Sequence, residues 1–119
     1  MNNKLLRSFY YACQGIKHAF VSERNMKIHG IVMVFVIAAA FFFNISRIEF
    51  LIVLLTIAMV IGLEMTNTAI ESLVNSIINE YCPWAAVAKN VAAGAVLFSA
   101  AVAIIIGLVI FVPYIVQYW

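Results

Sequence analysis

The stretch FLIVLLTIAMVIGLEMTNTAIESLVNSII, residues 50–78, decides the fold. Its first fourteen residues, Phe50 to Leu63, carry no charge and few polar groups. That block is short for a transmembrane helix on its own, which needs about 20 apolar residues. The helical pattern nevertheless continues through Glu64, Asn67 and Glu71 to about Ile78, with no Pro or Gly cluster to stop it. One long helix therefore carries acids into the bilayer. At 100° per residue, Asn67, Glu71 and Asn75 stand about −60°, −20° and +20° from Glu64, so the four form one polar stripe.

Outward from this helix the chain has the same character. Of 119 residues, 66% are hydrophobic and 10% charged, against about half and a quarter in soluble domains. No Lys, Arg, Asp or Glu occurs between Lys27 and Arg47, and Ile31 to Phe43 is almost continuously apolar. A further block, Val91 to Val112, is uncharged, preceded by the break at Tyr81, Cys82 and Pro83 and ended by Pro113. Near the N-terminus Leu5, Phe9, Ala12, Ile16 and Phe20 recur at helical spacing, with Lys4, Arg7, Gln14 and Lys17 largely elsewhere on the wheel. This reads as a basic amphipathic helix in the headgroup region. It is not read as a signal peptide, since the apolar run starts too late and lacks a small-residue cleavage pattern. The expected fold is an all-α membrane protein: an interfacial helix at about 4–22 and spans at about 28–45, 50–78 and 86–112. No repeat or linker divides it, so it is read as a single domain.

Charge placement sets the expected orientation. Lys4, Arg7, Lys17, Arg24, Lys27 and Lys89 would lie on one side of the membrane and only Arg47 on the other. Six against one places the N-terminus in the cytoplasm of a multi-pass protein of the cell membrane. Tyr114, Tyr118 and Trp119 suit an aromatic belt on the far side, and Trp84 one on the near side. The net charge of +2 is too small to suggest nucleic acid. Cys13 and Cys82 lack metal or redox spacing and are read as free thiols. Ala95, Ser99, Ala103 and Gly107 form a small-residue ladder suited to close helix packing.

Carboxylates near the middle of a spanning helix cost about 2.5 kcal/mol or more each, so two on one face call for a cation, water or a cavity. Counted from Phe50, Glu64 lies about 21 Å along the helix and Glu71 about 31 Å, toward the cytoplasmic end. Glu23, Arg24, Asn25, Lys27, His29, Lys89 and Asn90 belong to the same layer. Carboxylates able to share a divalent cation, with amides and amines beside them, suit phosphoryl transfer to a lipid alcohol. Glu64, the deepest acid, is the candidate base. No GxxxxGK[ST] loop is present, which excludes a P-loop kinase. An alternative is a small proton- or cation-coupled transporter, but a transport site belongs near the midplane, whereas these groups collect on one side. A pore-forming or structural subunit leaves the acid stripe without a purpose.

The stretch Glu64-Met65-Thr66-Asn67-Thr68-Ala69-Ile70-Glu71 resembles the E-x-x-N-[ST]-A-[IV]-E signature of the small prokaryotic diacylglycerol kinases, which include undecaprenol kinases. Glu23-Arg24-Asn25-Met26-Lys27-Ile28-His29 and Ala88-Lys89-Asn90-Val91-Ala92-Ala93-Gly94-Ala95 extend the resemblance, which runs from about Arg7 to Val112. It implies a homotrimer with composite sites, Mg2+ and ATP, Glu64 as general base, Glu23 and Glu71 as metal ligands, and Asn67 and Lys89 as supporting residues. Asn90 belongs with that catalytic set, and Lys4, Arg7, Tyr11 and Asn75, with Lys89, are candidates for nucleotide contact. Lys4 and Arg7 also suit anionic lipid. The form of the first block resembles the Gram-positive type, which tends toward undecaprenol as acceptor. The family pattern has Asp where this chain has Asn75 and Asn90, and the chain contains no Asp at all. An amide loses the charge and one acceptor site, so reduced activity is the expectation.

Overall fold

A computed structural model describes residues 2–118 as four helices: α1 Asn2–Ser22, α2 Arg24–Phe43, α3 Arg47–Ile77 and α4 Pro83–Tyr118. The last three are long and apolar enough to cross a membrane. Most of their large apolar side chains point outward, among them Phe35, Phe41, Leu55, Leu97 and Phe98. A soluble protein hides such residues, whereas a lipid-facing surface needs them. The chain is a multi-pass membrane protein.

The turn between α2 and α3 is built from local chemistry. Asn44 ends α2 in the left-handed region at φ 51° and ψ 55°, a conformation its short polar side chain tolerates. The amides of Asn44 and Ile45 donate back to the carbonyls of Phe41 and Ala40, each at 3.2 Å. Two residues later Ser46 caps α3: its hydroxyl accepts from the Glu49 amide at 3.2 Å. Its own amide donates to Glu49 Oε1 at 3.0 Å, completing a capping box. Ala40, Ile45, Val53 and Ile110 form the buried apolar core just beside this turn, with Phe43, Phe50 and Tyr114 against it.

Helix α4 packs mainly on α3. It does not stop at Pro113, as the sequence suggested, but runs on to Tyr118 with Pro113 inside it. The missing amide is tolerated because the following turn is held by packing. Tyr114 lies against the core and donates its hydroxyl to Glu49. The aromatic tail is therefore the last turn of α4, and Trp119 lies outside the described residues. The other helices also begin a few residues before the expected spans. At about 1.5 Å per residue, α3 is about 46 Å long, more than the roughly 30 Å of hydrocarbon.

The small-residue ladder faces inward: Ser99 is buried and Ala95, Ala103 and Gly107 are half-buried, with exposed residues between them. Helix α1 touches α2 and α3. Of its described side chains only Ala19 is buried, and Phe20 is half-buried near Gly30 of α2. A Cβ on Gly30 would stand 3.1 Å from the Phe20 ring, so the missing side chain lets the two helices approach.

Candidate active site

At the end of the bundle opposite the α2–α3 turn, the polar stripe of α3 turns inward. Glu64, Asn67 and Thr68 stand at i, i+3 and i+4 on one helical face and are all buried. With Met26, Glu64 is one of the two largest fully buried side chains, at 2% exposure. Lipid-facing side chains outnumber buried ones throughout this protein, yet a carboxylate is among the few groups sealed inside it.

The sealed face is short of partners. Glu64 Oε2, Asn67 Oδ1 and Thr68 Oγ1 are buried without a hydrogen bond. Unpaired buried polar atoms each forfeit about 1–3 kcal/mol, so three on one helical turn mark a place where a fold accepts instability for another purpose. One group approaches them. His29 Nε2 of α2 stands 3.9 Å from Glu64 Oε2, beyond hydrogen-bond range but within that of an ion pair if the imidazole is protonated. His29, which the sequence placed in the same polar layer without assigning it a role at the site, joins this set. Its sequence signals were its place in that layer and at the end of the Glu23–His29 block.

The other candidates fall around this face. Glu71, one turn beyond Thr68, is half-buried. Glu23 is half-buried at the N-cap of α2, where its side chain caps nothing. Lys89 is half-buried on α4 and its Nζ donates to Asn75 Oδ1 of α3 at 2.9 Å, across the loop joining the two helices. Asn90, Lys4, Arg7 and Tyr11 are exposed. Among the described residues, no group of three or more His, Cys, Asp or Glu converges within the single chain.

Beside the polar face lies an apolar cleft of about 500 Å³ between α2, α3 and α4. His29 stands in its wall, and Ala103 and Gly107 from the ladder leave room for it. It extends from the level of His29 toward Val36 and Phe111, near the core at the other end.

The sequence model of one family, prokaryotic diacylglycerol kinase, matches residues 10–111. The chain belongs to that family. The matched segment takes in every candidate from Tyr11 to Asn90, including the Glu64–Glu71 block, and leaves out only Lys4 and Arg7. The undecaprenol kinase of Bacillus subtilis is 40% identical over 111 residues, covering 93% of this chain and 90% of that protein. A diacylglycerol kinase of Synechocystis is 41% identical over 110 residues, which are 92% of this chain but 63% of that longer protein. The diacylglycerol kinase of Escherichia coli K12 is 24% identical over 102 residues, 86% of this chain and 84% of that protein.

Proposed function

We propose that this prokaryotic diacylglycerol kinase family member phosphorylates the hydroxyl of a membrane lipid alcohol, undecaprenol or diacylglycerol, using ATP at the cytoplasmic interface. The observation that carries the reading is Glu64: a carboxylate 2% exposed, with an unpaired oxygen, on a helix otherwise built for lipid contact. Family membership supports phosphoryl transfer to a lipid, and the 40% identity with an undecaprenol kinase over nearly the whole of both chains favours a polyprenol acceptor.

The roles follow from side-chain chemistry. Glu64 supplies the carboxylate that drives removal of the acceptor's proton, in surroundings dry enough to keep water from competing for the phosphoryl group. Asn67 and Thr68, on the same face, offer polar atoms to orient the reacting groups. Glu23 and Glu71 are half-buried carboxylates, hard oxygen donors of the kind Mg2+ takes one or two at a time together with phosphate oxygens, and they fit that ion. Bound there, Mg2+ would offset charge on the transferring phosphate. Lys89, held by Asn75, adds a cation on the same side of the bundle, and Asn90 lies next to it in sequence.

Glu23 and Glu71 come from different helices, and no single chain completes a cluster of three such groups among the described residues. A homotrimer with sites shared between subunits accommodates this. Lys4, Arg7 and Tyr11, exposed on α1, are free to reach nucleotide phosphates or anionic lipid. The excess of bases on the Glu64 side supports a cytoplasmic N-terminus and site, and the basic residues of α1 support its lying along the interface. The test is transfer of labelled γ-phosphate from Mg-ATP by the purified chain to undecaprenol and to diacylglycerol in mixed micelles. Label in at least one lipid, absent with Glu64→Gln, is expected; label in neither overturns the reading.

A further inference from the structure

Helix α2 leaves a second face open. Away from the cleft runs a groove of about 480 Å³, lined by Lys27, Gly30, Ile31, Val34 and Phe35. It shares no lining residue with the cleft. At 100° per residue, Gly30, Val34, Ile31 and Phe35 stand about −60°, −20°, +40° and +80° from Lys27. The cleft's residues on the same helix, His29, Val32 and Val36 among them, stand about 140–200° from it, on the opposite side. Arg24 falls at about +60°, so it stands over the groove nearly one turn beyond Lys27. Gly30 deepens the groove where Phe20 of α1 closes on α2, since a Cβ there would stand 3.1 Å from the Phe20 ring.

The groove changes chemistry with depth. Ile31, Val34 and Phe35 are 59%, 63% and 70% exposed and reach about 12 Å along the helix from Lys27. Arg24 and Lys27 are exposed at the end where the span begins. Among the described residues the one ion-pair contact is His29 with Glu64, so Glu23, next to Arg24 in sequence, compensates neither base. Two uncompensated cations above an apolar slot match the charge and shape of a single lipid, phosphate above and acyl chain below. Arginine offers phosphate a planar fork of donors, and lysine a compact point charge. A zwitterionic headgroup brings its own cation, which both bases repel, whereas an anionic headgroup brings none.

We propose that Arg24, Lys27 and the groove of Ile31, Val34 and Phe35 form a binding site for one anionic phospholipid of the surrounding bilayer. Its phosphate lies between the two bases and one acyl chain follows the groove. This ligand is a resident of the membrane and not the alcohol to be phosphorylated, and it sits on the side of α2 away from His29 and Glu64. The proposal holds whether or not the chain transfers phosphate, so its test uses no nucleotide.

The test reads quenching of one indole by brominated lipid. In the full chain carrying Trp84→Phe and Trp119→Phe, Phe35→Trp places the reporter in the groove. In a second chain with the same two changes, Leu97→Trp places it on the lipid-facing side of α4, also eight residues from a base, Lys89, whose ammonium is held by Asn75. Each is reconstituted in vesicles that mix phosphatidylglycerol with phosphatidylcholine, one of the two brominated, and the ratio of binding constants is taken from the two quenching curves. Each base near a membrane surface strengthens attachment of anionic lipid roughly fivefold, less where it is screened. Preference for phosphatidylglycerol at position 35 is therefore expected to be at least about threefold, with less than about twofold at position 97. It is expected to fall below about twofold at position 35 when Arg24→Gln and Lys27→Gln are added, and likewise without any substitution in 1 M salt. A preference under about threefold at position 35, the same preference at position 97, or one that survives both the charge removal and the salt overturns the site. Quenching at position 35 by neither lipid also overturns it, because the face is then covered by a second copy of the chain rather than by lipid.

Discussion

Replacing Glu64 by Met should make the protein more stable while abolishing its activity. The side chain is 2% exposed and its Oε2 has no hydrogen-bond partner, with His29 Nε2 the nearest group at 3.9 Å. An unsatisfied buried polar group costs about 1–3 kcal/mol, and more when charged. Met is similar in length, and a volume-conserving exchange adds less than about 1.5 kcal/mol of strain. His29, losing a partner it does not yet hydrogen-bond, keeps partial contact with its surroundings at 23% exposure. The balance favours Met by about 1–2 kcal/mol, a sizeable share of the roughly 5–15 kcal/mol that separates most folded proteins from their unfolded chains. The assay is reversible unfolding in mixed micelles titrated with a denaturing detergent, followed by tryptophan fluorescence. A loss of more than about 1 kcal/mol on Glu64→Met would mean that the carboxylate is satisfied in the working protein, and the reasoning from its isolation would fail.

Other consequences follow from particular contacts. Gly30→Leu forces its Cβ to 3.1 Å from the Phe20 ring, so the end of α1 should detach, seen as faster hydrogen exchange at residues 16–22. Asn44→Val places a β-branched residue at φ 51° and should destabilise by about 1–2 kcal/mol in the same unfolding assay, whereas Asn44→Gly should be neutral within about 0.5 kcal/mol. Asn75→Asp turns the 2.9 Å Lys89 contact into an ion pair and should raise turnover several-fold, with a stability gain under about 1 kcal/mol because the pair is exposed. Chelation of Mg2+ should stop lipid phosphorylation, and Glu71→Gln should raise the Mg2+ concentration needed for half-maximal rate at least tenfold.

The sequence made the lipid-crossing helices legible because three apolar blocks have no other home, and the stripe on α3 legible because one helix has a fixed period. A wheel drawn on one helix does not say which neighbour its stripe faces. Hence Glu64, Asn67 and Glu71 were identifiable while the approach of His29, 35 positions from Glu64, was not. The pairing of Lys89 with Asn75 rather than with its sequence neighbour Asn90 is of the same kind, since it depends on the loop that brings α4 back along α3. Pro113 misled in the opposite direction. Its local preference against helix is real, but packing of Tyr114 on the core and its bond to Glu49 carry α4 past it. The burial of Glu64 to 2% is likewise tertiary, because it needs α2 against α3.

The most direct measurement is a 31P spectrum of vesicles containing the purified chain, a lipid alcohol and Mg-ATP, recorded beside a matched sample with Glu64→Gln. A lipid phosphate monoester that grows at the rate ADP appears, in the first sample only, is the expected result. Inorganic phosphate without lipid ester, or the same ester from the Glu64→Gln sample, contradicts a lipid kinase that works through this buried acid.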